Sequence, residues 1–140
     1  MSWFFWALLS AFFAALTAVL AKVGVTGVDP NLATAVRTTV VLLFTWALFF
    51  ALSPLRSLGT LQSRNWLFLA LSGLATGLSW VCYFRALHLG EASRVAPVDK
   101  LSVVFVIVLA AIFLHEKVSW THWAGGFLIL AGAALLAWKN

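Results

Sequence analysis

Five runs of apolar residues, each about as long as a membrane-crossing helix, constrain this chain more than any other feature. A helix that crosses the hydrocarbon core needs about 20 mostly apolar residues. Short polar or charged breaks separate the runs, and we predict one transmembrane helix in each: residues 2–21, 32–52, 66–87, 95–114 and 118–138. The sequence therefore predicts an all-α integral membrane protein in which residues 1–140 form a single transmembrane domain.

The composition favours lipid over water as the solvent of this chain. Hydrophobic residues make up 64% of the sequence and charged residues only 9%, whereas a soluble domain usually has about 25% charged residues. A formal charge of +5 would suggest nucleic-acid binding in a soluble protein. Because most Lys and Arg residues stand at the ends of apolar runs, we expect contact with membrane lipids and no nucleic-acid partner.

An odd number of crossings puts the two termini on opposite sides of the membrane. The positive residues are divided between these sides with only a modest bias. Those on the N-terminal side are Arg56, Arg64 and Lys117, and those on the other side are Lys22, Arg37, Arg85, Arg94 and Lys139, with Lys100 near that edge. The positive-inside rule therefore favours an outward N-terminus without fixing it.

The third run carries two stripes of residues at helical spacing. Hydroxyl-bearing residues recur at steps of four, three and four along one side, and small and aromatic residues run beside them. The first stripe is Ser72, Thr76, Ser79 and Tyr83, and the second is Gly73, Gly77, Trp80 and Phe84. The pattern is typical of a cavity wall that binds substrate, and equally of close packing between membrane helices.

Charged residues inside the runs indicate a second set of candidates, because burying charge in hydrocarbon is costly and usually marks a functional pathway. Arg37 in the second run and Asp99 and Lys100 in the fourth all lie towards the same membrane face. We expect Arg37 to meet Asp99, which would leave Lys100 facing water or substrate. The alternative is that these side chains snorkel to the headgroups.

We find no arrangement of residues that indicates catalysis. The sequence has no HExxH zinc motif, no GxSxG elbow and no glycine-rich phosphate loop. His115, Glu116 and Lys117 are expected to be solvated loop residues. We therefore predict that the protein is not an enzyme and needs no metal or other cofactor.

The second half of the chain resembles the last three helices of a repeat of the EamA family, within the drug/metabolite transporter superfamily. An aromatic-rich helix ends in an AL-x-x-G pattern, a VAP turn follows, the next helix closes in a glutamate, and the last helix is rich in glycine. The matching residues are Ala86, Leu87 and Gly90, then residues 92–97, Glu116, and Gly125, Gly126 and Gly132. The stretch DPNLATAVRT also resembles the family, which often has an arginine at the position of Arg37. The stretch VAPVDKLSVVF resembles the five-helix members, whose pattern implies roles for Asp99, Lys100 and Ser102.

This resemblance implies a transporter of small organic metabolites or drug-like compounds, located in the cell (inner) membrane. The typical relative has ten helices in two repeats of opposite orientation, with substrate bound between them and alternating access as they rock. One repeat would then need an inverted copy, so the resemblance implies an antiparallel homodimer with dual topology, which the weak charge bias permits. Substrate would contact Arg37, Ser72, Thr76, Ser79, Trp80, Tyr83, Asp99, Lys100 and Ser102.

Two alternatives to a metabolite transporter stay open from the sequence. The chain could serve as a non-transporting subunit or regulator of another membrane protein, or as a flippase for a lipid or lipid precursor. Small multidrug transporters of the same superfamily use a glutamate deep in helix one, and the first run here has no acidic residue. Coupling by that mechanism is not expected; either Asp99 couples transport to an ion or transport is facilitated diffusion.

Overall fold

The structure is a computed structural model that describes residues 2–138, except for the side chains of Ser57 and Leu58. The helices in chain order are α1 (Trp3–Val25), α2 (Pro30–Leu52), a short 3₁₀ helix (Leu55–Thr60), α3 (Ser63–Leu89), α4 (Ala92–Asp99), α5 (Ser102–Phe113) and α6 (Trp120–Ala137). With α4 and α5 taken as one segment, five helical segments of the described chain are long and apolar enough to cross a membrane. The predicted all-α membrane fold is confirmed.

The helices begin and end at slightly different residues from those predicted. Helix α1 continues to Val25 and α3 begins at Ser63, although both stretches include polar residues. Hydrophobicity indicates where hydrocarbon surrounds the chain, whereas a helix continues for as long as its backbone groups bond within it. The predicted domain also included Met1, Lys139 and Asn140, which lie outside the described residues.

Helix α2 begins at a well-formed cap that fixes where the second span enters the membrane. The Asp29 carboxylate oxygen Oδ1 accepts hydrogen bonds from the backbone N–H groups of Asn31 at 2.9 Å and Leu32 at 3.0 Å. Pro30 occupies the first helical position, where its missing N–H would have had no partner within the helix. This cap satisfies donors that would otherwise be left without partners at the start of α2.

Replacing Asp29 with alanine is expected to lower the free energy of unfolding by about 1 kcal/mol, the usual contribution of a side-chain cap. Asp29→Asn retains an oxygen acceptor at the same place and should stay close to the wild type. Thermal unfolding of both purified variants in detergent measures the difference. Equal stability of the alanine variant and the wild type would contradict a stabilising role for this cap.

The fourth span is not the single uniform helix that the sequence predicted. We placed Pro97 in the first turn of a helix beginning at residue 95, but α4 begins at Ala92, so Pro97 lies inside it. Proline lacks an N–H donor and its ring clashes with the carbonyl four residues earlier, which breaks regular α-helix. Beyond Pro97 the hydrogen-bond pattern also tightens: Leu101 N–H donates to the Val98 carbonyl at 3.0 Å, and Val103 N–H to the Lys100 carbonyl at 3.0 Å. Residues 100–101 form a short 3₁₀-like turn between α4 and α5.

The chain divides into two compact units, each described by itself. In the first, whose described residues are 2–22 and 89–138, α6 contacts both α4 and α5. Gly126 and Ala133 of α6 are buried, as is Ala110 of α5. A Cβ atom at Gly126 would lie 3.4 Å from Ile107 Cδ1, so the lack of a side chain allows the close approach typical of membrane helices. The Lys22 ammonium Nζ also donates to the Gly90 carbonyl at 2.7 Å in this unit.

The second unit, Val23–His88, contains α2, the 3₁₀ helix and nearly all of α3. Its buried residues are Val25, Thr34, Phe84 and Leu87. The Thr34 hydroxyl Oγ1 donates to the Pro30 carbonyl at 2.7 Å, so this buried polar group is satisfied within its own helix.

Large apolar side chains stay exposed along the spanning helices of both units. Phe44 in α2 is 61% exposed, Leu78 in α3 is 69% exposed and Phe105 in α5 is 67% exposed. A water-soluble protein does not leave such continuous apolar surfaces uncovered. Lipid chains or other membrane helices must cover them, as expected for a multi-pass membrane protein.

Candidate functional site

The most distinctive side-chain arrangement in the second unit is an arginine placed over two aromatic rings. The guanidinium carbon Cζ of Arg37 in α2 lies 4.4 Å from the centre of the Trp80 ring and 5.5 Å from the centre of the Phe84 ring, both in α3. A cation within about 6 Å of an aromatic face is attracted by the ring quadrupole. We call Arg37, Trp80 and Phe84 the Arg37 cluster.

Helical spacing accounts for this placement. Trp80 and Phe84 are four residues apart, so they lie one above the other on the same side of α3. Arg37 lies eight residues after the cap at Asp29, inside the apolar part of α2. The guanidinium is half-buried and Phe84 is only 3% exposed. A cation–π contact contributes about 0.5–1 kcal/mol at an exposed site and about 2 kcal/mol or more when it is desolvated.

The aromatic surface continues from this cluster to Tyr83. Its ring packs edge-on against Phe84, with ring centres 6.4 Å apart and an angle of 72° between the planes. Tyr83 and Trp80 are both half-buried. The structure thus brings together three of the predicted site residues, Arg37, Trp80 and Tyr83.

The hydroxyl stripe of α3 extends along the helix on an exposed face. Ser72, Thr76 and Ser79 are all exposed. The Thr76 hydroxyl Oγ1 donates to the Ser72 carbonyl at 2.9 Å, so its proton is used within the helix and its oxygen can still accept a hydrogen bond. The face is therefore available to substrate, lipid or a packing helix, and the choice between a cavity wall and helix packing stays a prediction.

Asp99, Lys100 and Ser102 lie together in the first unit, at the turn between α4 and α5. The Lys100 ammonium Nζ lies 3.4 Å from Asp99 Oδ2, a long contact between neighbouring residues. Lys100 is the more exposed of the two side chains, and Ser102 is the first residue of α5. Lys100 therefore contacts the carboxylate that we had assigned to Arg37. The predicted pairing of Arg37 with Asp99 remains a prediction.

The sequence did not predict the role of Phe84. We placed Phe84 in the second stripe of α3 but not among the site residues, because Arg37 was expected to pair with a carboxylate. The spacing of Trp80 and Phe84 was the available signal, since aromatic residues four apart form one surface on which a cation can lie. Among the residues that the structure describes, no three His, Cys, Asp or Glu side chains are grouped to hold a metal ion.

Comparison with known proteins identifies relatives along the whole chain. The EamA-like transporter family matches residues 1–138. A Sinorhizobium sp. protein named "Uncharacterized transporter in cobO 3'region" is 55% identical over 136 residues, which cover 97% of this chain and 96% of the relative. No solved structure matches the chain at a significant level.

Two further relatives match about half of the chain. The protein named "Probable 4-amino-4-deoxy-L-arabinose-phosphoundecaprenol flippase subunit ArnE" from Aeromonas hydrophila is 33% identical over 72 residues, covering 51% of this chain and 60% of the relative. The "Probable terminal-alkyne amino-acid exporter" of Streptantibioticus cattleyicolor is 36% identical over 80 residues, covering 54% of this chain and 26% of that exporter. The match thus spans only about a quarter of the exporter.

Proposed function

The chain belongs to the EamA-like transporter family, and from this premise we propose that it carries small organic metabolites or drug-like compounds across the cell (inner) membrane by alternating access. The proposed active form is an antiparallel homodimer. Arg37, Ser72, Thr76, Ser79, Trp80, Tyr83, Asp99, Lys100 and Ser102 are the proposed substrate contacts.

The observation that carries this proposal is the Arg37 cluster. An arginine within a membrane span is costly and usually faces a pathway or binding site. Here the guanidinium lies over Trp80 at 4.4 Å, beside the exposed hydroxyls of α3. An apolar and aromatic surface with a few polar groups and one charge is the usual lining of a small-molecule site.

The proposed homodimer is supported by the single match to the family in this chain. The family match covers residues 1–138 once, and the Sinorhizobium relative is matched over 96% of its own length. Transporters with inverted repeats bind substrate between two halves of opposite orientation. In the proposed dimer, a second copy of this chain, inserted upside down, supplies the half of opposite orientation.

Two measurements test the proposal. Purified protein in liposomes is incubated with a metabolite extract of the producing cells, and mass spectrometry should detect compounds that accumulate above the level in empty liposomes. Impermeant labelling of single cysteines at Ser2 or Asn140, in a Cys82→Ser background, should modify each terminus in about half of the molecules, as insertion in both directions requires. Folded protein that accumulates no compound would overturn the transport proposal, and labelling of one terminus alone would overturn the homodimer.

A second candidate function is favoured by the relatives named flippase subunit ArnE. A subunit of a flippase for a lipid or lipid precursor would act together with a different, oppositely oriented membrane protein. Affinity purification from the native membrane distinguishes the two functions: a flippase subunit should copurify with a second membrane protein and transport nothing alone. A homodimer that transports in liposomes without a partner would exclude this candidate.

A further inference from the structure

We propose that the Arg37 cluster selects organic anions, compounds in which a carboxylate or phosphate is attached to an apolar body. This inference rests on the proposed function and names its substrate class. A soluble acid and a lipid phosphate share this chemistry, and the experiment below distinguishes them.

Arg37 has no carboxylate partner among the described residues of its own unit. The only acidic residue among residues 23–88 is Asp29, and its carboxylate caps α2 through the N–H groups of Asn31 and Leu32. Arg37 lies eight residues further along α2, about 12 Å at 1.5 Å per residue. The negative charge that would balance the guanidinium is therefore not supplied by this unit.

The aromatic rings of the Arg37 cluster attract the guanidinium without neutralising its charge. A guanidinium has five N–H donors arranged in one plane. The guanidinium carbon Cζ lies 4.4 Å from the centre of the Trp80 ring and 5.5 Å from that of Phe84. These rings do not accept hydrogen bonds from the N–H groups as a carboxylate would. An anion with two acceptor oxygens matches this donor set and can bind in a bidentate manner.

The sign of the charge near the Arg37 cluster also favours an anion. By the order of the spans, Arg37 and Arg85 lie towards the same membrane face as Asp29, whereas Arg56 and Arg64 lie towards the opposite face. Two arginines and one aspartate leave this end of the second unit with a net positive charge. A positive local field raises the concentration of anions and repels organic cations.

The surroundings of the Arg37 cluster favour an apolar body for the rest of the ligand. Trp80 and Tyr83 are half-buried, and Ser79 beside them is exposed. Aromatic faces favour apolar or flat bodies, and a hydroxyl adds one directional hydrogen bond. The site therefore favours a ligand with a single anionic group joined to an apolar body over a highly charged sugar phosphate.

Binding to protein in phosphatidylcholine nanodiscs, measured by isothermal titration, tests the proposal without requiring transport. One arm compares indole-3-acetate with neutral indole-3-acetamide and cationic tryptamine, which share the indole body. The other arm compares dodecyl phosphate with dodecanol, to represent a lipid source. We expect the anion to bind at least tenfold more tightly than its uncharged counterpart in one arm, and that arm identifies the source.

Three variants locate the binding. Arg37→Gln should weaken binding of the preferred anion by about tenfold to a hundredfold, the loss of a charge-assisted hydrogen bond. Arg64→Gln is the matched control, because Arg64 is an exposed arginine that lies 5.8 Å from the ring of Phe68, and binding should not change. Asp99→Asn tests the alternative that Arg37 pairs with Asp99. In that case anions would bind to the Asp99→Asn variant and not to the wild type.

Each remaining outcome overturns the proposal. These outcomes are no anion preference in either arm of the wild-type protein, tighter binding of tryptamine, unchanged binding in Arg37→Gln, or an equal loss in Arg64→Gln. The wild-type comparison stands even if Arg37→Gln fails to fold. Anion binding in a protein that transports nothing would retain this inference while the proposed function failed.

Discussion

Replacing Arg37 with glutamine is expected to lower uptake into liposomes to the level of empty liposomes, with the amount of folded protein unchanged. Glutamine keeps a polar but shorter side chain, and it removes the positive charge and the contact with Trp80. A transport cycle needs the substrate to be held while access changes, so loss of the main charged contact affects every turnover. Mass spectrometry of the accumulated compounds measures the effect.

Two further variants separate the charge of Arg37 from its shape. Arg37→Lys keeps the positive charge but lacks the planar fork of donors, so we expect partial uptake, about a tenth or less of the wild type. Arg64→Gln should transport normally, because it removes an exposed arginine at the beginning of α3. Full uptake by Arg37→Gln would show that the cluster does not contact the substrate, and the hydroxyl face of α3 would then be the site to test.

The membrane-spanning helices could be predicted from the sequence because lipid imposes a simple requirement on them. Each span must be apolar for about 20 residues and must bond its own backbone groups. All five predicted runs correspond to helical segments in the structure. Their ends were less predictable, since Ser63 and Arg64 extend α3 beyond the apolar part of the run.

The break in the fourth span could not be predicted, because hydrophobicity does not define the residue at which α4 begins. Pro97 is tolerated in a first helical turn and disruptive further inside. With α4 beginning at Ala92, Pro97 lies inside the helix, and a tight turn follows at residues 100–101. An error of a few residues in a helix start therefore changes the predicted surroundings of Asp99 and Lys100.

The candidate site could be predicted in part, because spacing determines which residues of one helix share a face. Trp80 and Tyr83 were selected in this way, and Arg37 by the cost of charge in hydrocarbon. The contact of Arg37 with Phe84 joins α2 to α3 and depends on the angle at which these helices pack. No local pattern in a single sequence determines the angle at which two helices pack.

Fixing the orientation of the chain in the membrane is expected to abolish transport, and mixing the two orientations should restore it. Gln62→Lys with Asn65→Lys adds positive charge on the N-terminal side, and Asn31→Lys with Ser93→Lys adds it on the other side. All four side chains are exposed. By the positive-inside rule, each pair should force one orientation, which cysteine labelling of the termini can verify.

Each locked variant expressed alone should give uptake at background level, because two parallel copies cannot form the inverted pair that alternating access between repeats requires. Expressed together, they should recover most of the wild-type uptake. The assay uses membrane vesicles prepared without detergent, so that copies cannot exchange orientation. Alanine at the same four positions is the matched control and should leave dual insertion and uptake unchanged. Wild-type uptake by either locked variant alone would contradict the antiparallel homodimer and favour a parallel assembly, whereas failure of the mixture would indicate a different protein as the inverted partner.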